Sequence, residues 1–118
     1  MTQEDKQLLL ADLSTRLPYG VKIRIIHHEI KGADPEYVDD VFSTTHYNMI
    51  DYDDDNYEFI PYLRPMSSMT EEERREQYKF SAFSNIELFD WYNSLHFDYR
   101  GLISKGLALE APEGMYKH

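Results

Sequence analysis

The densest group of possible metal-binding side chains is the acidic run at residues 51–56. Asp51, Asp53 and Asp55 stand at the first, third and fifth positions of a calcium-binding loop of the EF-hand type. Such a loop needs glycine at its sixth position and a bidentate carboxylate at its twelfth, where this chain has Asn56 and Tyr62. Because tyrosine cannot supply that carboxylate, the run indicates a solvated hairpin turn. We expect neither a metal ion nor another cofactor.

A second candidate for chemistry is the stretch at residues 27–31. On a strand, His27 and Glu29 would point to one face and His28 to the other, and no His-Glu-x-x-His pattern completes a zinc site. Glu29 and Lys31 match the carboxylate–x–lysine part of a metal-dependent nuclease site, which also needs an aspartate on a paired strand. Structural histidines are the favoured interpretation. A small carboxylate- or histidine-based hydrolase or nuclease is the alternative function.

Other catalytic signatures are missing from the sequence. It has no phosphate-binding loop, no dinucleotide-binding fingerprint and no Gly-x-Ser-x-Gly motif. It also has no cysteine, which excludes disulfides, thiolate nucleophiles and cysteine-ligated metals. These absences favour a non-enzymatic protein over an enzyme.

The net charge of −10 is unevenly spread along the chain. Residues 46–98 contain 12 acids and 4 bases and so carry −8, whereas the other residues carry 10 acids and 8 bases. Such a chain repels the phosphates of DNA and RNA, so we expect no direct nucleic-acid binding and a protein partner with a basic face. The alternative is that the acidity serves solubility alone.

Residue types common in interface cores are concentrated at residues 61–69. Aromatic, arginine and methionine side chains are enriched at such interfaces, although here they could instead pack helices onto a sheet. We prefer packing for Leu63 and Trp91, and Arg64 is the best single candidate for a functional contact. The predicted interaction surface comprises Asp51, Asp53, Asp54, Asp55, Tyr62, Arg64 and Met66.

The elements that must position these residues begin with a helix. Thr2 and Asp5 have the spacing of a capping box, while Pro18 and Gly20 end the helix. Asp12 falls on its polar side. Its apolar stripe consists of Leu9, Leu10, Leu13 and Leu17.

Strands are predicted at residues 21–30, 37–50 and 57–63. The apolar pattern of the first changes phase at Ile26, which indicates a bulge or burial on both faces. The second has a break at residues 43–45. Pro61 has no amide donor, so we expect it at a sheet edge or a strand end. Together these segments predict a small antiparallel sheet of three to four strands joined by short turns.

Helices return after residue 64. Capping residues Thr70, Ser84 and Asp98 predict three of them, the last a short helix that ends at Gly106. Residues 111–118 read as a loose tail. Helices before and after a run of strands indicate one α+β domain over residues 1–118.

Three stretches, residues 17–22, 61–73 and 96–103, carry a resemblance to known proteins, and the last continues through residue 116. In them the chain resembles a family of short proteins, without an established activity, from prophages and mobile elements of gut anaerobic bacteria. The resemblance implies an accessory gene expressed in a bacterial host. It implies no catalytic residue.

The leading hypothesis is a small non-enzymatic interaction protein, an accessory or inhibitory factor that binds another protein through an acidic, tyrosine-rich surface. A self-assembling structural component is a third reading. The polar, acidic start and the lack of a long apolar run favour a cytoplasmic location without membrane association.

Overall fold

The computed structural model describes residues 1–28, 34–54 and 56–116, and it has the predicted α+β class. Its main elements, in chain order, are α1 (Gln3–Arg16), β1 (Lys22–His27), β2 (Glu36–Val41), α2 (Thr44–Asp51), β3 (Tyr57–Leu63), α3 (Glu71–Ser81), α4 (Asn85–Ser94) and β4 (Leu109–Glu110). Single turns of 3₁₀ helix follow α1 and precede α3. In the described residues, no helix is long and apolar enough to cross a membrane.

Helix α1 begins with the predicted capping box. The Thr2 hydroxyl accepts the Asp5 N–H, and the Asp5 carboxylate accepts the Thr2 N–H. Gly20, with φ of 68°, reverses the chain after the following 3₁₀ turn. The polar side assigned to Asp12 is wrong, because both Asp12 and Arg16 are 0% exposed.

The sheet has four strands in the order β2-β1-β3-β4. Strand β1 pairs antiparallel with β2 and β3, as predicted, whereas β4 pairs parallel with β3. Parallel strands need a long connection between them, and the segment that contains α3 and α4 connects β3 to β4. Both registers of β1 are unbroken, so its change of pattern at Ile26 reflects burial on both faces rather than a bulge.

Pro61 lies at the end of the β1–β3 ladder, where it is the last residue of β3 to pair with β1. The Leu63 carbonyl accepts the Ala111 N–H, so by alternation the Pro61 nitrogen also faces away from β1. The missing donor therefore removes no hydrogen bond to β1. Pro61 is thus neither on an outer strand nor at the end of β3, but two residues before that end, where the pairing with β1 stops.

The prediction of strand after the break at residues 43–45 is wrong, because Thr44–Asp51 is helix α2. The Ser43 hydroxyl accepts the His46 N–H, and His46 Nδ1 accepts the Ser43 N–H at 3.1 Å. A histidine thus takes the place that glutamate or glutamine holds in the usual capping box. Residues 51–56 consequently join a helix to a strand and are not a hairpin turn.

Two of the three C-terminal helices are confirmed. Thr70 and Ser84 cap α3 and α4 as predicted. The third is replaced by turns in which the Asp98 carboxylate accepts the N–H groups of Leu102 and Ile103 at 2.8 and 3.0 Å. Gly101, which lies inside the predicted helix, has φ of 75°, a conformation that a helix does not accommodate.

The loose tail is also wrong for residues 111–116. The Lys22 N–H donates to the Tyr116 hydroxyl at 2.8 Å, and that hydroxyl donates to the Tyr62 carbonyl at 2.7 Å. The Tyr116 ring stacks on His96 at 3.7 Å between centroids. Burial raises the pKa of Tyr116 to about 12. The tyrosine hydroxyl therefore extends the ladder between β1 and β3 beyond Pro61; residues 117–118 lie outside the described residues.

Two apolar clusters hold these elements together. The larger joins α1, α2 and the inner face of the sheet through Leu9, Leu13, Ile23, Ile50, Phe59 and Leu63, among others. The smaller contains Met69, Trp91, Tyr92 and Phe97 and packs α3 against α4. The segments between and around these clusters shape the two surface depressions described next.

Candidate functional site

The predicted acidic loop is tied to α1. The Lys6 ammonium donates to the Asp51 carbonyl at 2.8 Å and to the Asp53 carboxylate at 2.9 Å. Asp53 has φ of 59°, an uncommon conformation that this pair stabilises. The Asp54 carboxylate accepts the Asn56 N–H at 3.1 Å, and Asp55 lies outside the described residues. Part of the charge predicted to attract a partner is therefore neutralised within the protein.

Asp53 and Asp54 border a hollow of about 540 Å³, here called the α1 hollow. Its floor is apolar, with Leu9, Ile50 and Phe59 among its residues. Charged side chains around it are Asp5, Asp53, Asp54, Glu58 and Lys105. Asp53 is paired with Lys6, and Lys105 adds a positive charge, so the α1 hollow is less negative than its four acids alone would make it.

Of the residues predicted to contact a partner, Tyr62 is buried and Met66 is half-buried. Tyr62 is 3% exposed because it lies on an inner strand, and its hydroxyl donates to the Asp39 carboxylate at 2.8 Å. Burial, followed by this hydrogen bond, raises the pKa of Tyr62. Met66 packs against the smaller apolar cluster. Both side chains offer little surface to a partner, and their contact with one stays a prediction.

Arg64 is engaged inside the protein. Its guanidinium donates to both carboxylate oxygens of Glu73 at 2.7 and 2.8 Å and lies 4.2 Å from the centre of the Phe97 ring. The backbone N–H of Arg64 donates to the His96 carbonyl, and the backbone carbonyl of Arg64 accepts the Asp98 N–H. A bidentate, stacked arginine of this kind positions the start of α3, so it is a weak candidate for contact with a partner.

The Arg64–Glu73 pair should be visible in the pH dependence of stability. Hydrogen bonds from Arg64, above all, hold the pKa of Glu73 at about 2, compared with an ordinary value of 4.5. A carboxyl whose pKa is lowered by folding stabilises the fold above its unfolded pKa, and that contribution is lost as the pH falls from 4.5 towards 2. In urea denaturation, we expect the free energy of unfolding to fall across this window, and to fall less in Glu73→Gln.

Glu72→Gln is the matched control for this measurement, because Glu72 does not contact Arg64 and its replacement removes the same charge from the same helix. It should retain the slope of the wild type. Equal slopes in wild type and Glu73→Gln would show that the pair contributes nothing to acid stability.

A second depression, here called the Glu groove, lies between α3 and the C-terminal segment and has a volume of about 800 Å³. Its acidic lining residues are Glu72, Glu73, Glu76, Glu110 and Glu113. Arg64 is the only base among the described residues that line it, and it is paired with Glu73. The remaining acids face the groove without an offsetting base in its described lining.

Helical geometry explains why three of these acids share one side of α3. Glu72, Glu73 and Glu76 have the spacing of one helical face, whereas Arg74 and Arg75 fall on the other side and do not line the groove. Along the sequence, the two arginines compensate the neighbouring acids. Glu110 and Glu113 join them only because β4 pairs with β3, so sequence reasoning missed this set.

The acids of the Glu groove differ in how strongly they are engaged. Glu76 accepts the Trp91 indole N–H at 3.1 Å, and Glu73 holds Arg64. Glu72, Glu110 and Glu113 are exposed, and none forms an ion pair with another described residue. Leu95, Ala111, Pro112 and Tyr116 add apolar surface to the lining. Exposed carboxylates beside apolar surface suit the long, cationic side chains of lysine and arginine.

A separate cluster of charges is centred on Asp12 and Arg16, which are both buried. The Asp12 carboxylate accepts from Arg16 Nε at 2.8 Å, from Arg16 Nη2 at 3.0 Å and from Arg100 Nη1 at 2.8 Å. Arg16 Nη2 also donates to the Phe97 carbonyl at 2.7 Å. The cluster thereby joins α1 to the turn after α4, and nothing in its contacts points to a ligand. Its spacing on α1 resembles an ordinary surface pair, so the sequence did not reveal it.

The described histidines do not converge on a metal site. His27 stacks on Tyr57, His28 lies 3.4 Å from Glu58, and His46 caps α2. Among the residues that the structure describes, no group of three or more histidine, aspartate or glutamate side chains could hold a metal ion. The nuclease-like pattern at Glu29 and Lys31 lies outside the described residues.

No protein-family model matches this chain, and neither does a curated protein or a solved structure. The resemblance to short proteins of prophages and mobile elements therefore stays a prediction. We therefore infer a function from the side chains that line the two depressions.

Proposed function

We propose that the protein is a binding protein that takes up a basic segment of another protein in the Glu groove. The observation that carries the proposal is the convergence of Glu72, Glu110 and Glu113, from α3 and from the C-terminal segment, on one depression. Arg64 is the only base among the described residues that line the Glu groove, and it is paired with Glu73. The Glu groove therefore presents carboxylates that are not neutralised from within.

The chemistry of the groove selects the class of partner. Carboxylates repel nucleic-acid phosphates and form charge-assisted hydrogen bonds with guanidinium and ammonium groups. The apolar side chains of Leu95 and Pro112 offer surface to the methylene stems of lysine or arginine. Binding of this kind suits a small accessory or inhibitory factor in the cytoplasm of a bacterial host, the setting that the resemblance implies.

The proposal can be tested with a fluorescently labelled, arginine-rich peptide as the probe. We expect the triple variant Glu72→Gln, Glu110→Gln, Glu113→Gln to bind it about tenfold more weakly at low salt, since three partly exposed pairs contribute about 0.5 kcal/mol each. Fluorescence anisotropy over a salt series would measure the dissociation constant. The salt dependence should weaken in the variant, because screening acts on the charges that were removed.

Two further variants serve as controls. Glu4→Gln, Asp34→Asn, Glu87→Gln removes the same charge from exposed positions outside the groove lining and should bind almost as wild type. The loop variant, Asp51→Asn with Asp53→Asn and Asp54→Asn, removes the same charge from the loop that the sequence favoured. If the loop variant loses more affinity than the groove variant, the partner is guided by the loop, and the proposed site is wrong.

A further inference from the structure

Strand β2 is an outer strand of the sheet, and all six of its residues are exposed. The Phe42 N–H donates to the Val21 carbonyl at 2.8 Å, so by alternation the backbone groups of Val38 and Asp40 face β1. Those of Tyr37, Asp39 and Val41 then face outwards. The Val41 N–H is taken by the Asp40 carboxylate at 2.7 Å, whereas no described residue accepts from the N–H of Tyr37 or Asp39.

The side chains of β2 combine apolar surface with negative charge. Tyr37, Val38 and Val41 are 61%, 58% and 47% exposed. The strand also has three acids and no base. Arg24 of β1 lies 3.7 Å from Asp39 and offsets part of its charge. Asp40 lies 3.7 Å from His46, and Glu36 forms no ion pair with another described residue.

These acids argue against a second copy of the chain as the occupant of the edge. In an antiparallel pair of β2 strands, outward-facing residues must oppose outward-facing residues. Pairing residues 37–41 with themselves sets Asp39 opposite its own copy, and pairing residues 36–40 sets Glu36 opposite Asp40. A parallel, in-register pair sets every acid opposite its own copy. Like charges directly opposite each other destabilise a pair of strands.

We propose that the outer edge of β2 binds an extended segment of a partner protein in which basic and apolar residues alternate. The segment adds a fifth strand to the sheet and takes up the outward N–H groups of Tyr37 and Asp39. Its lysine or arginine side chains lie beside Glu36 and Asp40 on one face of the sheet, while its apolar side chains cover Tyr37 and Val41 on the other face. This edge is a second binding surface and does not depend on the Glu groove.

A peptide in which lysine and valine alternate is a suitable probe, with amide hydrogen exchange followed by NMR. At a peptide concentration about ten times the dissociation constant, exchange at Tyr37 and Asp39 should slow about tenfold, because it then proceeds from the unbound fraction. Val38 and Asp40 already face β1 and should change less. A peptide of the same composition with its lysines and valines in separate blocks should leave all four amides unchanged.

Charge variants separate this surface from the groove. Glu36→Gln, Asp40→Asn should weaken binding of the alternating peptide about fivefold while keeping side-chain acceptors at both positions. The triple variant of the Glu groove should keep the slowed exchange at Tyr37 and Asp39. The proposal is overturned if the block peptide slows these amides equally or if only the groove variant abolishes the effect. If a higher protein concentration without peptide slows exchange at Tyr37 and Asp39, the occupant of the β2 edge is a second copy of the chain.

Discussion

Replacing Asp12 by asparagine should lower the free energy of unfolding by about 3–5 kcal/mol, the largest effect that we expect from a single charge-removing change. Asp12 and Arg16 are both 0% exposed, and Arg100 donates to the same carboxylate. The change would leave the buried guanidinium of Arg16 without an opposing charge. Arg16 Nη1 has no hydrogen-bond partner among the described residues, so the dependence on Asp12 is strong.

Urea denaturation would measure this effect, with an unchanged dependence on urea showing that the folded state is retained. Glu4→Gln removes a charge from the exposed first turn of the same helix and should change stability little. The double variant Asp12→Asn, Arg16→Met should be more stable than Asp12→Asn alone, since it also removes the buried charge. A double variant that is less stable than the single one would contradict this account.

Replacing Tyr116 by phenylalanine should lower the free energy of unfolding by about 2–4 kcal/mol, because two backbone groups lose their partner. The hydroxyl accepts the Lys22 N–H and donates to the Tyr62 carbonyl. No other described residue forms a hydrogen bond that could replace it. The stacked ring on His96 is retained in this variant. The loss would therefore report on the hydroxyl alone.

Tyr78→Phe is the matched control, since Tyr78 is 80% exposed and the same atom is removed. Its unfolding midpoint in urea should equal that of the wild type. If Tyr116→Phe also has that midpoint, the two hydrogen bonds of the Tyr116 hydroxyl do not stabilise the fold.

The two proposed surfaces favour partners of similar chemistry. Both the Glu groove and the edge of β2 present acids beside apolar side chains, and both favour basic segments of proteins. They differ in how a partner is recognised. The groove uses side chains from distant parts of the chain, whereas the edge of β2 uses backbone donors with alternating side chains. The separate variants described above can therefore show which surface a natural partner uses.

Predictions based on local signals agree with the structure. The capping boxes at Thr2 and Thr70 and the cap at Ser84 bring together residues three positions apart, so sequence spacing is enough to identify them. The helix at Thr44–Asp51 was missed because His46 completes its box, and its β-branched and aromatic residues indicate a strand. The tail was misread because its docking depends on one tyrosine.

The α+β class, three of the helix starts and strand β3 can be read from the sequence, because these depend on spacing and pattern within short segments. The role of each charge, in contrast, depends on tertiary contacts. Packing buried Tyr62, Glu73 paired with the favoured Arg64, and Lys6 engaged Asp53. Charge and burial depend on neighbours far away in the chain, so the Glu groove exists only once β4 has joined β3.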